Sequence, residues 1–274
     1  MISTNLRPFL ENKGHVVDVT SRNISSGNIH YDISRVAKSI FPDIDNYDCI
    51  VFLAAISGEK DCKKNLDYTN LINVIAPCKF LEECIKKEKH FIFISSSSIF
   101  DEIISFHLED SNFNPKGVYA SSKYEAEKCL LGHNNNKFLT ILRLTKVLDY
   151  NSGIISDWVK RINKNQFIYA FSDIFISPIS VKKVIAVLEE IINSNLTGVI
   201  NFGGADEITY SNLSLILTDN FPSSKKLIKI IKARDSSEFD FIQTRSSIET
   251  SQILIKRKLL PEPSSDLMKN LLNV

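Results

Sequence analysis

The sequence predicts an α/β protein built on a doubly wound parallel sheet, and three observations carry that prediction. Short apolar, β-branched runs alternate with segments of helical period. Two of those runs, Ile50–Ala55 and His90–Ile94, are apolar almost throughout, as strands covered on both faces are. The links between them are short, which favours right-handed β-α-β units with helices on both sides of the sheet.

Residues 2–13 predict a helix, with Leu6, Phe9 and Leu10 on one face and charges opposite, and Gly14 stands where a helix ends. His15–Thr20 is a short strand, and Asp32–Ile40 a short helical stretch with Ile33, Val36 and Ile40 on its apolar side. Ile50–Ala55 is the first buried strand. A helical period then runs from Tyr68 to Lys86, with Pro77 inside it and a kink or break expected there. His90–Ile94 leads straight into Ser95-Ser96-Ser97-Ser98. Tyr119–Leu131 is helical, Phe138–Leu144 is a strand, and Asn134-Asn135-Asn136 is a surface turn between them.

After Asp149 the alternation loosens. Ile154–Asn163, Val181–Ile192, Asn212–Asn220, Glu249–Lys258 and Asp266–Leu272 have helical character, whereas Gln166–Phe171, Gly198–Phe202 and Leu227–Lys232 have strand character. Residues 1–150 therefore form the sheet-bearing domain. Residues 151–274 form a smaller C-terminal lobe interleaved with the end of the sheet.

The composition restricts the function classes. The chain has 274 residues, 43% hydrophobic and 24% charged, enough apolar material to fold as a globular unit. A net charge of +1 gives no bulk electrostatic hold on nucleic acid or an anionic membrane. No apolar run reaches the roughly 18 residues that cross a bilayer, and the N-terminus has no secretory pattern. The cysteines, Cys49, Cys62, Cys78, Cys84 and Cys129, form no CxxC pair and no cluster with His, so no metal site is expected. They are read as buried free thiols of a reduced, cytoplasmic protein.

Ligands of open α/β sheets bind at the carboxyl ends of the strands. Ala54 and Ala55 follow Leu53 at one such end, small enough to admit a flat ligand, and the serine run stands at the next. Farther on, Tyr119-Ala-Ser-Ser-Lys123 places a phenol and an ammonium on one helix face. An ammonium near a phenol lowers its pKa, and a nearby serine hydroxyl can bind the same substrate oxygen, a proton relay for carbonyl/alcohol interconversion. Tyr124 and Lys128 repeat the spacing, but lie about 140° around the helix. Their neighbours Glu125 and Glu127 prefer solvent, so Tyr124/Lys128 is read as a surface pair and Tyr119/Lys123 as the functional one.

Several segments in order carry a resemblance: Val51-Phe-Leu-Ala-Ala55, Asn73-Val-Ile-Ala, Phe93-Ile-Ser-Ser-Ser-Ser-Ile-Phe100, Tyr119-Ala-Ser-Ser-Lys123 with Glu127, Ile141-Leu-Arg-Leu144 and Ser177-Pro-Ile-Ser-Val181. Across nearly its whole length the chain resembles the extended short-chain dehydrogenases/reductases, the NAD-dependent epimerase/dehydratase superfamily. Thr244-Arg-Ser-Ser-Ile-Glu-Thr-Ser251 and the compact length resemble most the dTDP-4-dehydrorhamnose reductases.

The resemblance implies a Rossmann-like NAD(P)-binding domain and reduction of a 4-keto nucleotide-sugar, in surface polysaccharide or sugar-nucleotide biosynthesis. Tyr119 would be the proton donor, Lys123 would lower its pKa and hold the nicotinamide ribose, and Ser96 would orient the carbonyl. Ser21, Arg22, Asp32, Ile33, Leu53, Ala54 and Ala55 would line the cofactor. No carboxylate follows the second strand of the family's pattern and Arg22 is available, which favours NADP over NAD. A homodimer through two helices is common among similar proteins. An epimerase or dehydratase using bound NAD, and a non-catalytic relative, are the alternatives.

One departure stands out. The family opens with a strand and a glycine-rich turn, GxxGxxG, that brings the pyrophosphate onto a helix N-terminus. Here Met1–His15 matches the helix that follows that turn, with Ser3 at the place of the third glycine. The expectation is a sheet with a central strand missing and unpaired strands beside the gap. It follows either from a start placed too late or from a truncated relative with impaired cofactor binding.

Overall fold

A computed structural model gives the fold and describes residues 1–22, 28–133, 136–235 and 243–272. The elements follow the alternation read from the sequence. Helix α1 (Ile2–Asn12) leads to strands β1 (Val19–Ser21) and β2 (Asn28–His30) and a 3-10 turn, Ile33–Lys38. Then come β3 (Cys49–Phe52), α2 (Glu59–Lys64), α3 (Leu66–Asn70), a π turn at Leu71–Ile75, α4 (Ala76–Lys86), β4 (His90–Ser96), α5 (Gly117–Leu131) and β5 (Leu139–Leu144). The remainder holds β6 (Val147–Leu148), α6 (Gly153–Asn163), β7 (Ile168–Phe171), β8 (Phe175–Ile176), β9 (Ile179–Ser180) and α7 (Val181–Ser194). It closes with β10 (Gly198–Phe202), β11 (Ile208–Thr209), α8 (Tyr210–Asn220), β12 (Ile228–Ile231), α9 (Gln252–Lys256) and α10 (Ser264–Leu272).

The main sheet is parallel, in the order β10-β5-β4-β3, and β1 pairs with β2 as a separate parallel ribbon. One face of the main sheet buries Ile92, Leu142, Leu144, Ile200 and Phe202 with Leu6 and Leu10 of α1 and Val184, Ile185 and Leu188 of α7. The other face buries Phe91, Phe93, Leu139 and Ile141 against Phe80 and Leu81 of α4 and Ala126 and Leu130 of α5. Helices on both faces are what a doubly wound parallel sheet requires. The fourth strand, β10, comes from beyond residue 150, and β7, α6, α8 and α10 enclose a second core around Trp158, Ile168, Leu213 and Met268.

The sheet parts where the missing strand was expected. β1 and β3 form no ladder with each other; β3 pairs only with β4 among the described residues. Its first three residues are half-buried and Phe52 is enclosed; Cys49 and Val51 pack on one face and Ile50 and Phe52 on the other, so β3 is covered on both faces, as expected, and among the described residues is an edge of the sheet. Tyr47 reaches across from β3's side, its hydroxyl donating to Asp18 Oδ2 at 2.6 Å.

The break expected near Pro77 is the π turn at Leu71–Ile75 just before it, in an otherwise continuous helical run. One reading changes. Cys78 and Cys129 are not free thiols but a disulfide, because α4 and α5 pack side by side and bring their Cα atoms to 6.2 Å across 51 residues of sequence. Cys49, Cys62 and Cys84 are free. Asn134 and Asn135 of the expected surface turn lie outside the described residues.

Candidate active site

The site begins at the carboxyl ends of β3 and β4. Phe93 and Ile94 continue β4 into Ser95 and Ser96, and the Ser96 hydroxyl accepts from Ser98 N–H at 3.2 Å, starting a short 3-10 turn. The Ser95 and Ser98 hydroxyls are buried without a protein partner. α5 crosses beside this strand end. Its first turn carries Tyr119, partly exposed, and its second carries Lys123, almost completely buried.

The Ser96 hydroxyl stands within side-chain reach of the Tyr119 phenol. Burial is the largest influence on that phenol and pushes its pKa up; the Ser96 hydroxyl opposes it, and the Cys62 thiol adds to it. The expected lowering by Lys123 is not what sets the phenol here. The reason is where the ammonium points: Lys123 Nζ donates to the Ile94 carbonyl at 2.7 Å and lies 4.4 Å from the centre of the Phe93 ring. Burial lowers the Lys123 pKa to about 8, partly offset by Glu127.

Glu127, one turn beyond Lys123, is committed elsewhere. Its carboxylate receives Arg143 Nε at 3.1 Å and Nη2 at 2.7 Å, a buried pair that ties α5 to β5. Tyr124 packs its ring 5.2 Å from Phe113, and Lys128 bonds Glu125 at the surface. The second Tyr/Lys pair is thus engaged with Phe113 and Glu125.

The residues expected along a cofactor occupy the other strand ends. Leu53 packs into the core, while Ala54 and Ala55 are exposed just past β3. Ser21 ends β1 and its carbonyl accepts from Tyr31 N–H at 2.9 Å. Arg22 is exposed, with Nη1 3.3 Å from the Tyr68 hydroxyl on α3. Asp32 caps the turn that Ile33 opens, accepting from Ser34 N–H at 2.9 Å; those Ser34 bonds hold its carboxyl below the usual range, and Arg22 and His30 contribute. No group of three His, Cys, Asp or Glu side chains is placed to hold a metal among the described residues.

Three residues build the site without having been given a role in it from the sequence: Asn73, Ser122 and Cys62. Asn73, buried in the π turn, accepts from Ile56 N–H at 2.8 Å and donates to Ile56 O and to the Ser122 hydroxyl, both at 3.0 Å. Ser122 in turn donates to the Tyr119 carbonyl at 2.7 Å. This chain fastens the loop after Ala55 to the helix that bears Tyr119. The signal for Asn73 was a polar residue at a buried helical position; nothing local marks Ser122 or Cys62.

With that geometry described, comparison with known proteins becomes decisive. The family model for the RmlD substrate binding domain matches residues 1–256. The chain belongs to that family. It is similar in fold to a dTDP-4-dehydrorhamnose reductase of Yersinia enterocolitica, with TM-score 0.82 and 19% identity over 99% of this chain and 95% of that one. A dTDP-4-dehydrorhamnose reductase of Bacillus anthracis solved with NADP gives TM-score 0.74 and 16% identity over 87% of this chain and 83% of that one. A curated relative, methionine adenosyltransferase 2 subunit beta of Xenopus tropicalis, is 26% identical over 205 residues, 70% of this chain. The matched region spans 60% of that relative's length. The α/β fold with a parallel central sheet is thus the Rossmann-like fold of those structures.

Proposed function

We propose that the protein is an NAD(P)H-dependent oxidoreductase that reduces the 4-keto group of a nucleotide-sugar, in the manner of the dTDP-4-dehydrorhamnose reductases. The observation that carries this reading is the Tyr119/Lys123 pair on one helix, with Lys123 bonded to the Ile94 carbonyl at the strand end that bears Ser96. The family model and a similar fold solved with NADP support it.

The residues fit a nicotinamide cofactor. Ala54 and Ala55 present only methyl groups at an exposed strand end, Arg22 places a cation at the end of β1, and the Ser98 hydroxyl retains unused bonding capacity. When bound, the cofactor supplies the hydride. The protein's part is to manage the oxygen. Ser96 and Tyr119 hydroxyls together bind the substrate carbonyl, and Tyr119 gives it a proton as negative charge develops there. Keeping the phenol's pKa high keeps it protonated, as a donor must be. Lys123, desolvated and with its pKa brought to about 8, ties the helix that carries the donor to the end of β4 through the Ile94 carbonyl. Arg22 favours NADP through attraction to a 2′-phosphate.

Incubation with NADPH and dTDP-4-dehydrorhamnose tests the reading: stoichiometric consumption of NADPH supports a reductase, whereas turnover of a nucleotide-sugar without it indicates an epimerase or dehydratase. A second reading, a non-catalytic relative, draws on β1 and β3 forming no ladder with each other among the described residues. Activity lost on Tyr119→Phe excludes it.

A further inference from the structure

We infer that Glu59 is a positioning residue that fixes Tyr119 against Ser96, an inference that rests on the reading of Tyr119 as proton donor. α5 brings no cap of its own. Its N-cap residue is Lys116, whose side chain caps nothing, and its first turn contains no acidic side chain. A helix start left so would carry unmet N–H groups. Glu59, the first residue of α2, meets that need from outside. Its Oε1 accepts from Val118 N–H at 3.0 Å and its Oε2 from Tyr119 N–H at 3.2 Å.

The contact is built for closeness. Gly117, with φ +83°, opens α5, and a Cβ placed there would lie 2.6 Å from Glu59 Oε2 and 2.9 Å from its Cδ. Any side chain at 117 would displace the carboxylate. Lys63 Nζ stands 3.5 Å from Glu59 Oε1, holding the carboxylate on its own helix. Tyr119 is thereby held on both sides of its Cα, at N–H by Glu59 and at C=O by Ser122.

The grip links two parts of the site. Glu59 follows Gly58 at the end of the loop that begins with Ala54 and Ala55, and Asn73 clamps the middle of that loop at Ile56. A displacement of this loop therefore reaches Tyr119 through its own backbone. Cys62, one turn along α2, is buried close enough to Tyr119 and Lys123 to act on both electrostatically, so α2 as a whole lies against the site.

The test uses the full chain labelled with 3-fluorotyrosine and 19F NMR, with the Tyr119 signal assigned by Tyr119→Phe. Ser96→Ala calibrates the shift that follows loss of the Ser96 contact. Glu59→Ala is expected to move the Tyr119 signal by at least half that amount, Gly117→Ala to move it similarly, and Glu59→Gln, which keeps one acceptor oxygen, to move it less. A Tyr119 signal unmoved in Glu59→Ala, or moved equally by Glu59→Gln, overturns the inference. In the NADPH assay the expected result for Glu59→Ala is a kcat lowered about tenfold or more with the KM for NADPH within about twofold, and partial recovery in Glu59→Gln. An unchanged kcat, or a loss confined to KM, also overturns it. Wild-type protein without activity, or active Tyr119→Phe, defeats the reductase reading instead, and the NMR arm still decides the role of Glu59.

Discussion

The Glu127 carboxylate receives both Nε and Nη2 of Arg143 inside the protein, with side-chain exposures of 2% and 1%. Arg143 also donates Nη1 to the Glu109 carbonyl at 2.8 Å and lies 5.2 and 5.1 Å from the Phe100 and Phe113 rings. One pair thus joins β5, the active-site helix and the loop beyond Ser96.

Breaking that pair from one side leaves a buried charge unmatched. Glu127→Ala is expected to lower stability by about 3–5 kcal/mol, while Glu127→Leu with Arg143→Met recovers most of the loss. Urea unfolding of the three proteins at pH 7 checks this. Equal destabilisation of single and double variants contradicts it.

Lys123 gives the opposite sign. Burial penalises its ammonium and brings its pKa to about 8, below the value of a free lysine. The unfolded chain then binds more protons between that value and about 10.4, so this group favours folding increasingly as pH rises through the interval. Lys123→Met is expected to be more stable than wild type at pH 7 by about 1–3 kcal/mol, with the gap narrowing above pH 8, and to lose activity. Thermal unfolding from pH 7 to 10 measures the gap; a constant or negative one contradicts the assignment.

His90 adds a sensitivity on the acid side. It is buried at the start of β4, its Nε2 is 2.7 Å from Thr140 Oγ1, and burial lowers its pKa. The unfolded state binds the proton more readily, so the stability contributed by neutral His90 is fully present above about pH 6.5 and lost as pH falls below it. His90→Gln flattens that part of the stability profile in denaturant titrations. An unaltered slope between pH 7 and 5 rules His90 out as its cause.

The reach of the sequence follows the range of the interactions. Tyr119 and Lys123 were legible because a single helix sets their relation, and β4 because its apolar run is local. Ala54 and Ala55 were legible as a small-residue strand end. What was missed depends on distant partners: Glu59 on α5, 60 residues beyond, Asn73 on Ser122, and Cys78 on Cys129. The direction of Lys123 was also out of reach, because the Ile94 carbonyl and Phe93 ring that hold it belong to another element. The short strands β6, β8, β9 and β11 have two residues each, too few to show a period.

The proposed reduction turns on proton transfer from Tyr119 to a substrate carbonyl. The most direct measurement follows NADPH oxidation by wild type and Tyr119→Phe with dTDP-4-dehydrorhamnose as substrate. Stoichiometric oxidation by wild type is expected, with a kcat about a thousandfold lower in the variant and NADPH affinity and unfolding midpoint unchanged. Equal rates in the two proteins, or no oxidation by a wild type that binds NADPH and the nucleotide-sugar, would contradict it.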